Sequence, residues 1–250
     1  MELIKNKRTG KVLFIVEGGK HEFSLIKKIF VDILDFTQIE KRRGGAKFYK
    51  RNSDKHSVIA VINTKTSNIE SITEIEYLEK IFGELIQTYD FDVNNAAIYY
   101  LFDRDLESNT NVRLITDLIR VLKNSFENDD HIRGGMLILS YPSVEAYEIS
   151  NFIDGSHKLC KRLGKEVKAY INDKAKMISL NKMNSESIRH AGLELKAYLE
   201  EAGIEMNLDD FSETNQAVFN QQEAHFKKTN TFRCISMLSC VLLDLGILRE

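Results

Sequence analysis

The stretch that decides the fold is Lys11-Val12-Leu13-Phe14-Ile15-Val16-Glu17-Gly18-Gly19. Its continuous apolar run predicts a strand that is buried on both faces, as in a parallel sheet. The two glycines after Glu17 allow a sharp turn and let a phosphate approach the backbone. Apolar residues then recur at helical spacing over residues 21–34. A buried strand that leads directly into a helix indicates an α/β fold.

The same alternation continues along the chain. We predict further strands at residues 57–62, 96–102 and 136–139, and further helices at residues 74–89 and 112–126. This order predicts an α/β domain, a parallel sheet flanked by helices, over residues 1–152. Only helical periodicity follows, so residues 153–250 are predicted to form an all-helical C-terminal region. No proline-rich linker marks the boundary.

Composition limits the class of protein. The 250 residues are 43% hydrophobic and 29% charged, which is ordinary for a globular chain and excludes collagen and a disordered chain. No apolar run approaches the roughly 20 residues of a membrane span, and no export signal is recognised. Cys160, Cys234 and Cys240 lack metal-site spacing, which favours reduced thiols in a cytoplasmic protein. The net charge of -2 excludes a globally basic nucleic-acid binder but allows a local basic patch.

Acidic residues follow three of the predicted strands. They are Glu17 after the first strand, Asp103 and Asp105 after the third, and Glu145 shortly after the fourth. Because parallel strands end at one edge of a sheet and lie about 4.8 Å apart, we expect these carboxylates to cluster. Clustered carboxylates favour Mg²⁺ or Mn²⁺, which prefer oxygen ligands.

Each acidic residue also has a simple structural explanation. Glu17-Gly18-Gly19 is a common turn, Asp105 could cap the following helix, and Glu145 could favour a helix dipole from the first turn. Acidic residues at three strand ends of one sheet are unlikely to arise from turns alone. Together they favour a site.

Two motifs resemble the signatures of the TOPRIM fold, which serves topoisomerases, primases, recombination proteins and OLD-type nucleases. They are Val12-Leu13-Phe14-Ile15-Val16-Glu17-Gly18 followed by Glu22, and Tyr100-Leu101-Phe102-Asp103-Arg104-Asp105. A third stretch resembles a segment of small TOPRIM proteins of bacterial anti-phage systems, the RloB-like group and the TOPRIM component of the PARIS system. It is Ser140-Tyr141-Pro142-Ser143-Val144-Glu145-Ala146-Tyr147. The resemblance covers residues 11 to about 152.

The resemblance implies a metal-dependent nuclease. Many topoisomerases and primases have Asp where this chain has Glu22, and Glu is closer to the OLD-type nucleases. The chain is too short for a DNA-gating or helicase-binding domain, and its cysteines form no zinc site. What remains is a nuclease, and the resemblance implies that it cleaves phosphodiester bonds of DNA or RNA, with tRNA as one candidate, in anti-phage defence. The PARIS likeness further implies an ABC-type ATPase partner that activates the chain.

The site roles follow from that resemblance. Asp103 and Asp105 are expected to be metal ligands, Glu17 a third ligand or the base, and Glu22 and Glu145 ligands of a second Mg²⁺ or Mn²⁺. Lys20 would meet the phosphate or be solvated. His21 is either a general acid or an ordinary surface residue.

A basic stretch is predicted to hold the nucleic-acid backbone. Residues 41–55 carry seven basic residues against one acid, and we expect a mobile loop with its contacts at Arg42, Arg43, Lys47, Lys50 and Arg51. Phe48 and Tyr49 could stack on an unpaired base. The alternative is a solvated hairpin that keeps the protein soluble.

Three further questions stay open from the sequence. The chain could be a catalytically silent Mg²⁺-binding regulatory module in a defence complex, or a structural subunit. The apolar residues near its end could be core or a homodimer face; they are Met237, Leu238, Val241, Leu242, Leu243, Leu245 and Leu248.

Overall fold

A computed structural model describes residues 1–39, 45–64, 66, 68–126 and 134–250. The strands are β1 (Glu2–Leu3), β2 (Lys11–Val16), β3 (Phe36–Ile39), β4 (Lys47–Arg51), β5 (Val58–Asn63), β6 (Ala96–Asp103), β7 (Lys123–Asn124), β8 (Gly135–Tyr141), β9 (Cys160–Lys161), β10 (Phe232–Arg233), β11 (Ile235–Ser236) and β12 (Leu248–Arg249). The α-helices are α1 (His21–Lys27), α2 (Ile75–Tyr89), α3 (Val112–Val121), α4 (Glu145–Ser150), α5 (Gly164–Asp173), α6 (Ser185–Ala202), α7 (Phe211–Thr229) and α8 (Leu238–Asp244). A π-helix, Lys28–Ile33, continues α1.

One mixed sheet organises the fold. Its strand order is β11-β8-β6-β2-β5-β4-β3, and β7 also pairs with β8. The inner pairs β5–β2, β2–β6 and β6–β8 are parallel, whereas β3, β4, β7 and β11 pair antiparallel. Helices flank this sheet, so the predicted α/β class is confirmed.

The central strands lie where the apolar runs predict them. β2 spans the predicted Lys11–Val16, and each of its residues from Val12 onward is at most 1% exposed. Such burial on both faces explains why this strand is continuously apolar rather than alternating. β2 pairs with β5 on one side and β6 on the other, which makes it the middle of the parallel part.

The region after residue 152 is mainly helical, but the prediction that it lacks strands is wrong. β11 joins the main sheet beside β8, and β12 pairs with β1 at the start of the chain. These strands have two residues each, too short to leave a strand-like apolar pattern in the sequence. Within the described residues, no helix has the length and hydrophobicity that crossing a bilayer requires.

The apolar residues near the end of the chain belong to the core. Val241 and Leu242 are at most 1% exposed and share one hydrophobic cluster with Leu13 and Leu139 of the sheet. Of the two interpretations left open by the sequence, the structure therefore favours core packing.

The basic stretch is not a mobile loop over residues 47–51. These residues form β4, and Phe48 and Tyr49 are each 2% exposed, so neither ring can stack on a base. Arg51 is equally buried: its guanidinium lies 4.7 Å from the Phe36 ring centroid and donates a 2.6 Å hydrogen bond to the Lys5 carbonyl. Arg51 is therefore a structural residue and is unavailable to a phosphate.

Two other predicted contacts lie on the same strand. Lys47 is exposed and Lys50 is half-buried, so their basic groups remain accessible to different degrees. Arg42 and Arg43 lie outside the described residues.

Candidate active site

The predicted acidic residues meet at one edge of the sheet. Glu17 directly follows β2, Asp103 is the last residue of β6, and Glu145 begins α4 shortly after β8. Since β2, β6 and β8 are parallel neighbours, their carboxyl ends coincide: Val16 pairs with Leu101, and Asp103 with Ser140. The carboxyl edge of a parallel sheet is where such folds bind ligands.

Glu17 is fixed by donors from the adjoining chain. Its Oε2 accepts hydrogen bonds from the backbone nitrogen of Asp103 and from Nδ2 of Asn109, both at 2.9 Å. The side chain is buried, and this burial raises the pKa of Glu17. Hydrogen bonds from Asp103, Ser108 and Asn109 oppose the increase, and the charge of Glu22 adds to it.

Asp103 links the end of β6 to the start of α4. Its Oδ1 accepts a 2.7 Å hydrogen bond from the backbone nitrogen of Val144. Burial, followed by the charges of Glu17, Glu145 and Glu22, raises the pKa of Asp103 well above its usual range. The electrostatic repulsion expected from clustered acids is therefore present at this position.

Asn109 organises the pair and was not singled out from the sequence. Its Nδ2 donates to Glu17 Oε2 at 2.9 Å and to the carbonyl of Asp103 at 2.7 Å, while its Oδ1 accepts from Ile69 N at 2.8 Å. The residue is 1% exposed. An Asn six positions after a strand end looks like any loop residue, so the sequence holds no signal for this role.

α4 adds two buried carboxylates to the cluster. Glu145 and Glu148 are each 3% exposed. Nε2 of His21 lies 2.7 Å from Glu148 Oε1 and 3.9 Å from Glu145 Oε1. Nζ of Lys168, on α5, lies 3.3 Å from Glu145 Oε1.

These carboxylates stabilise the cationic forms of the two basic groups. Burial alone would lower the pKa of His21, but the nearby Glu148, Glu145 and Glu22 outweigh it and raise the pKa. Burial would likewise lower the pKa of Lys168, but the charges of Glu145, Asp103 and Glu22 outweigh burial and raise it. Both side chains therefore favour the cationic form at the edge of an acidic site.

Glu22 folds back over the turn that follows Glu17. A Cβ atom on Gly18 would lie 2.6 Å from Oε2 of Glu22, so a side chain at this position would displace the carboxylate. The charge of Glu22 also contributes to the raised pKa of Glu17 and Asp103. The structure thus brings Glu22 into the predicted cluster.

Asp105 lies beyond the end of the strand that carries Asp103. Alternate residues share a face only along a strand, but β6 ends at Asp103 and a turn follows. Oδ1 of Asp105 accepts a 2.9 Å hydrogen bond from Glu107 N, and Oδ2 lies 3.1 Å from the Cβ position of Gly164 on α5. Asp105 therefore shapes the turn and contacts α5, and its role as a metal ligand beside Asp103 stays a prediction.

Two other basic residues near the motifs have different surroundings. Lys20 is exposed immediately before α1, where its carbonyl accepts from Ser24. Arg104 is 2% exposed, and its Nε donates a 2.8 Å hydrogen bond to Glu223 Oε1 on α7. Arg104 therefore holds α7 to the strand end rather than serving a substrate.

The donor set fits a hard divalent cation. Its candidate ligands are carboxylate oxygens, which Mg²⁺ and Mn²⁺ prefer. Oε2 of Glu145 and Oγ of Ser143 are buried without a hydrogen-bond partner among the described residues. Glu17, Asp103 and Glu145 would therefore hold such an ion.

The tightest group of potential metal ligands lies elsewhere in the described part of the chain. Asp154, His190 and Glu194 bring their ligand atoms within 4.8 Å of one another. His190 Nε2 pairs with Asp154 at 2.7 Å, and Glu194 accepts from Gly155 N at 2.9 Å, so these residues also satisfy each other. The predicted acidic residues form a looser group at the sheet edge.

Comparisons with family models, with curated proteins and with solved structures find no match for this chain.

Proposed function

We propose that this chain is a Mg²⁺- or Mn²⁺-dependent nuclease that cleaves phosphodiester bonds of DNA or RNA. The observation that carries the proposal is the Glu17–Asp103 pair at the carboxyl edge of the parallel strands, joined by a 2.9 Å hydrogen bond. Glu22 and Glu145 surround this pair, and the TOPRIM resemblance of the two motifs supports the same reaction.

The ion would be held by Glu17, Asp103 and Glu145, with Glu22 beside them. When bound, it would activate the attacking water and neutralise charge on the phosphate and the leaving oxygen. Glu17 serves either as a third ligand of this ion or as the base that takes the proton from the attacking water.

The cations of the site suit contact with the phosphate and protonation of the leaving oxygen. Lys168 is exposed and its Nζ lies at the edge of the carboxylate cluster, so we assign to it the phosphate contact that the sequence gave to Lys20. Nε2 of His21 lies 2.7 Å from Glu148 and 3.9 Å from Glu145, and its raised pKa favours the imidazolium, so we assign to His21 the role of acid toward the leaving oxygen.

The biological setting proposed here follows the RloB-like and PARIS resemblance. In this proposal the nuclease acts in cytoplasmic anti-phage defence, tRNA is among its candidate substrates, and an ABC-type ATPase partner activates it. A partner requirement would keep the isolated chain inactive, so the assay must include that partner.

The test is cleavage of plasmid, single-stranded DNA and tRNA in Mn²⁺, with and without the ATPase partner. We expect wild-type protein to cut at least one substrate, EDTA to abolish cutting, and Asp103→Asn to reduce it at least 100-fold, about the effect of losing one strong catalytic contact. Asp117→Asn is the matched control, because Asp117 is exposed on α3 and pairs only with Arg120 among the described residues. Metal binding without any cutting, partner included, would instead favour the regulatory module.

A further inference from the structure

A second basic stretch lies next to the candidate active site. Residues 158–176 carry seven basic side chains against two acidic ones, in a chain whose net charge is -2. The basic residues are Lys158, Lys161, Arg162, Lys165, Lys168, Lys174 and Lys176. It carries as many basic residues as the stretch 41–55, and all of its residues lie in the described part of the chain.

α5, the helix in this stretch, packs directly on the site. Gly164 begins the helix, and a Cβ atom there would lie 3.0 Å from Cβ of Ser143 and 3.1 Å from Oδ2 of Asp105. Val167 is fully buried and packs in a small apolar cluster with Ala146 of α4. The helix is therefore fixed in place rather than loosely attached.

Two lysines of α5 border the acidic edge. Lys165 and Lys168 are three positions apart, so they share one helix face. Nζ of Lys165 lies 2.8 Å from Glu107 Oε1, and Nζ of Lys168 lies 3.3 Å from Glu145 Oε1. Their side chains are 66% and 61% exposed. Lys165 and Glu107 are both exposed, and such a pair contributes little stability, so Lys165 can turn to an incoming anion at low cost. Lys168 instead pairs with the buried Glu145, which keeps this cation at the acidic edge.

The basic surface continues before the helix begins. Arg162 is exposed, and Lys161 is half-buried with its Nζ 5.3 Å from the ring centroid of Tyr170. We call Lys161, Arg162, Lys165 and Lys168 the α5 ridge. It ends at Glu145, one of the candidate metal ligands.

A nucleic-acid substrate needs such a ridge. The carboxylates of Glu17, Glu22, Asp103 and Glu145 repel a phosphate backbone, and basic side chains nearby reduce that repulsion beyond what the bound ion would neutralise. The sequence predicted the backbone contact on β4, but this strand presents fewer cations to a substrate, because Arg51 is buried in the core.

We propose that the α5 ridge binds the sugar–phosphate backbone of the nucleic acid and directs it across the carboxylate edge. The proposal rests on the proposed nuclease function and names the surface that receives its substrate. It is independent of the catalytic step, because backbone binding needs no hydrolysis.

The test measures binding of fluorescein-labelled single-stranded DNA and RNA 20-mers to the full chain in EDTA, at several salt concentrations. Lys161→Gln, Arg162→Gln and Lys165→Gln are combined, leaving Lys168 intact. Since each phosphate contact contributes roughly 0.7–0.9 to the slope of log affinity against log salt, the triple variant should flatten that slope by about two to three. The charge-retaining triple Lys161→Arg, Arg162→Lys and Lys165→Arg should bind like the wild type.

A matched control removes the same charge elsewhere. Lys27→Gln, Lys80→Gln and Arg120→Gln neutralise exposed positions on α1, α2 and α3, and this variant should keep the wild-type slope. The proposal is overturned if the ridge and control triples behave alike, or if the wild type binds neither 20-mer. Failure of the nuclease proposal is recognised separately, by unchanged cleavage or Mn²⁺ binding in Asp103→Asn.

Discussion

The backbone nitrogen of Asp103 donates a 2.9 Å hydrogen bond to Oε2 of Glu17. The two residues lie at the ends of adjacent parallel strands, so the sheet itself fixes their separation. Their acidic groups are held close together in a buried environment that raises the pKa of both. Such an arrangement favours a bound proton or a cation, which is why we propose a metal site here.

Asn109→Ala should destabilise the fold by about 2–3 kcal/mol, because a buried donor to the Glu17 carboxylate and an acceptor for Ile69 N are lost together. Asn111→Ala is the matched control; Asn111 is exposed and caps α3 through Leu114 N, so its loss should cost about 1 kcal/mol. Urea unfolding measures both. Equal costs at the two positions would show that Asn109 does not organise the site.

Stability without metal should depend on pH through Asp103. Its pKa is raised in the folded state, so above about pH 4 the folded protein still binds a proton that the unfolded chain has released. This contribution to stability is lost as pH rises from about 4 through the raised folded pKa.

Thermal unfolding in EDTA from about pH 4 to about pH 8 checks this dependence. Asp103→Asn should lose less stability than the wild type over that range, while Asp117→Asn should follow the wild type. Parallel curves for Asp103→Asn and wild type would argue against the buried, repelled carboxyl.

Arg104→Ala should destabilise the fold by about 3–5 kcal/mol, because it leaves Glu223 without its partner in a largely buried ion pair. Exposed Arg120→Ala should cost less than about 1 kcal/mol. Chemical denaturation compares them. A small loss for Arg104→Ala, accompanied by weaker substrate binding, would place Arg104 in the site instead.

Gly164→Ala tests the close contact between α5 and the site. The added methyl group would lie 3.0 Å from Ser143 Cβ, so we expect a cost of about 1–3 kcal/mol and reduced cleavage. Gly83→Ala is the control, since nothing lies within 4 Å of its Cβ position on α2 and it should stabilise by up to about 1 kcal/mol. If Gly164→Ala behaves like Gly83→Ala, α5 is not tightly seated there.

The inner sheet could be predicted because its strands are buried on both faces. Val12 and Ile15 contact core on either side of β2, which leaves a continuous apolar run that local sequence reveals. β4 was missed because its lysines and arginine dominate the composition. Its burial depends on pairing with β5 and on the Phe36 ring under Arg51, neither of which is visible locally.

The site likewise contains residues that the sequence could predict and residues that it could not. Glu17 and Asp103 could be predicted because each ends a recognisable strand, and parallel strands bring their ends together. Lys168 could not, because it reaches Glu145 only through the packing of α5 on α4. The surroundings of Asp105 could not be predicted, because the sequence cannot show that β6 stops at Asp103.

The central claim is that Glu17 and Asp103 belong to one divalent-metal centre. Calorimetric titration with Mn²⁺ tests this claim most directly, because metal binding does not require an activating partner. The comparison is between wild-type protein and the combined Glu17→Gln and Asp103→Asn variant, and any weak binding at Asp154, His190 and Glu194 is common to both. We expect a binding event in the wild type that the double variant lacks, with the folded state of the variant intact by circular dichroism. Identical isotherms for the two proteins would contradict the metal centre and the nuclease function proposed from it.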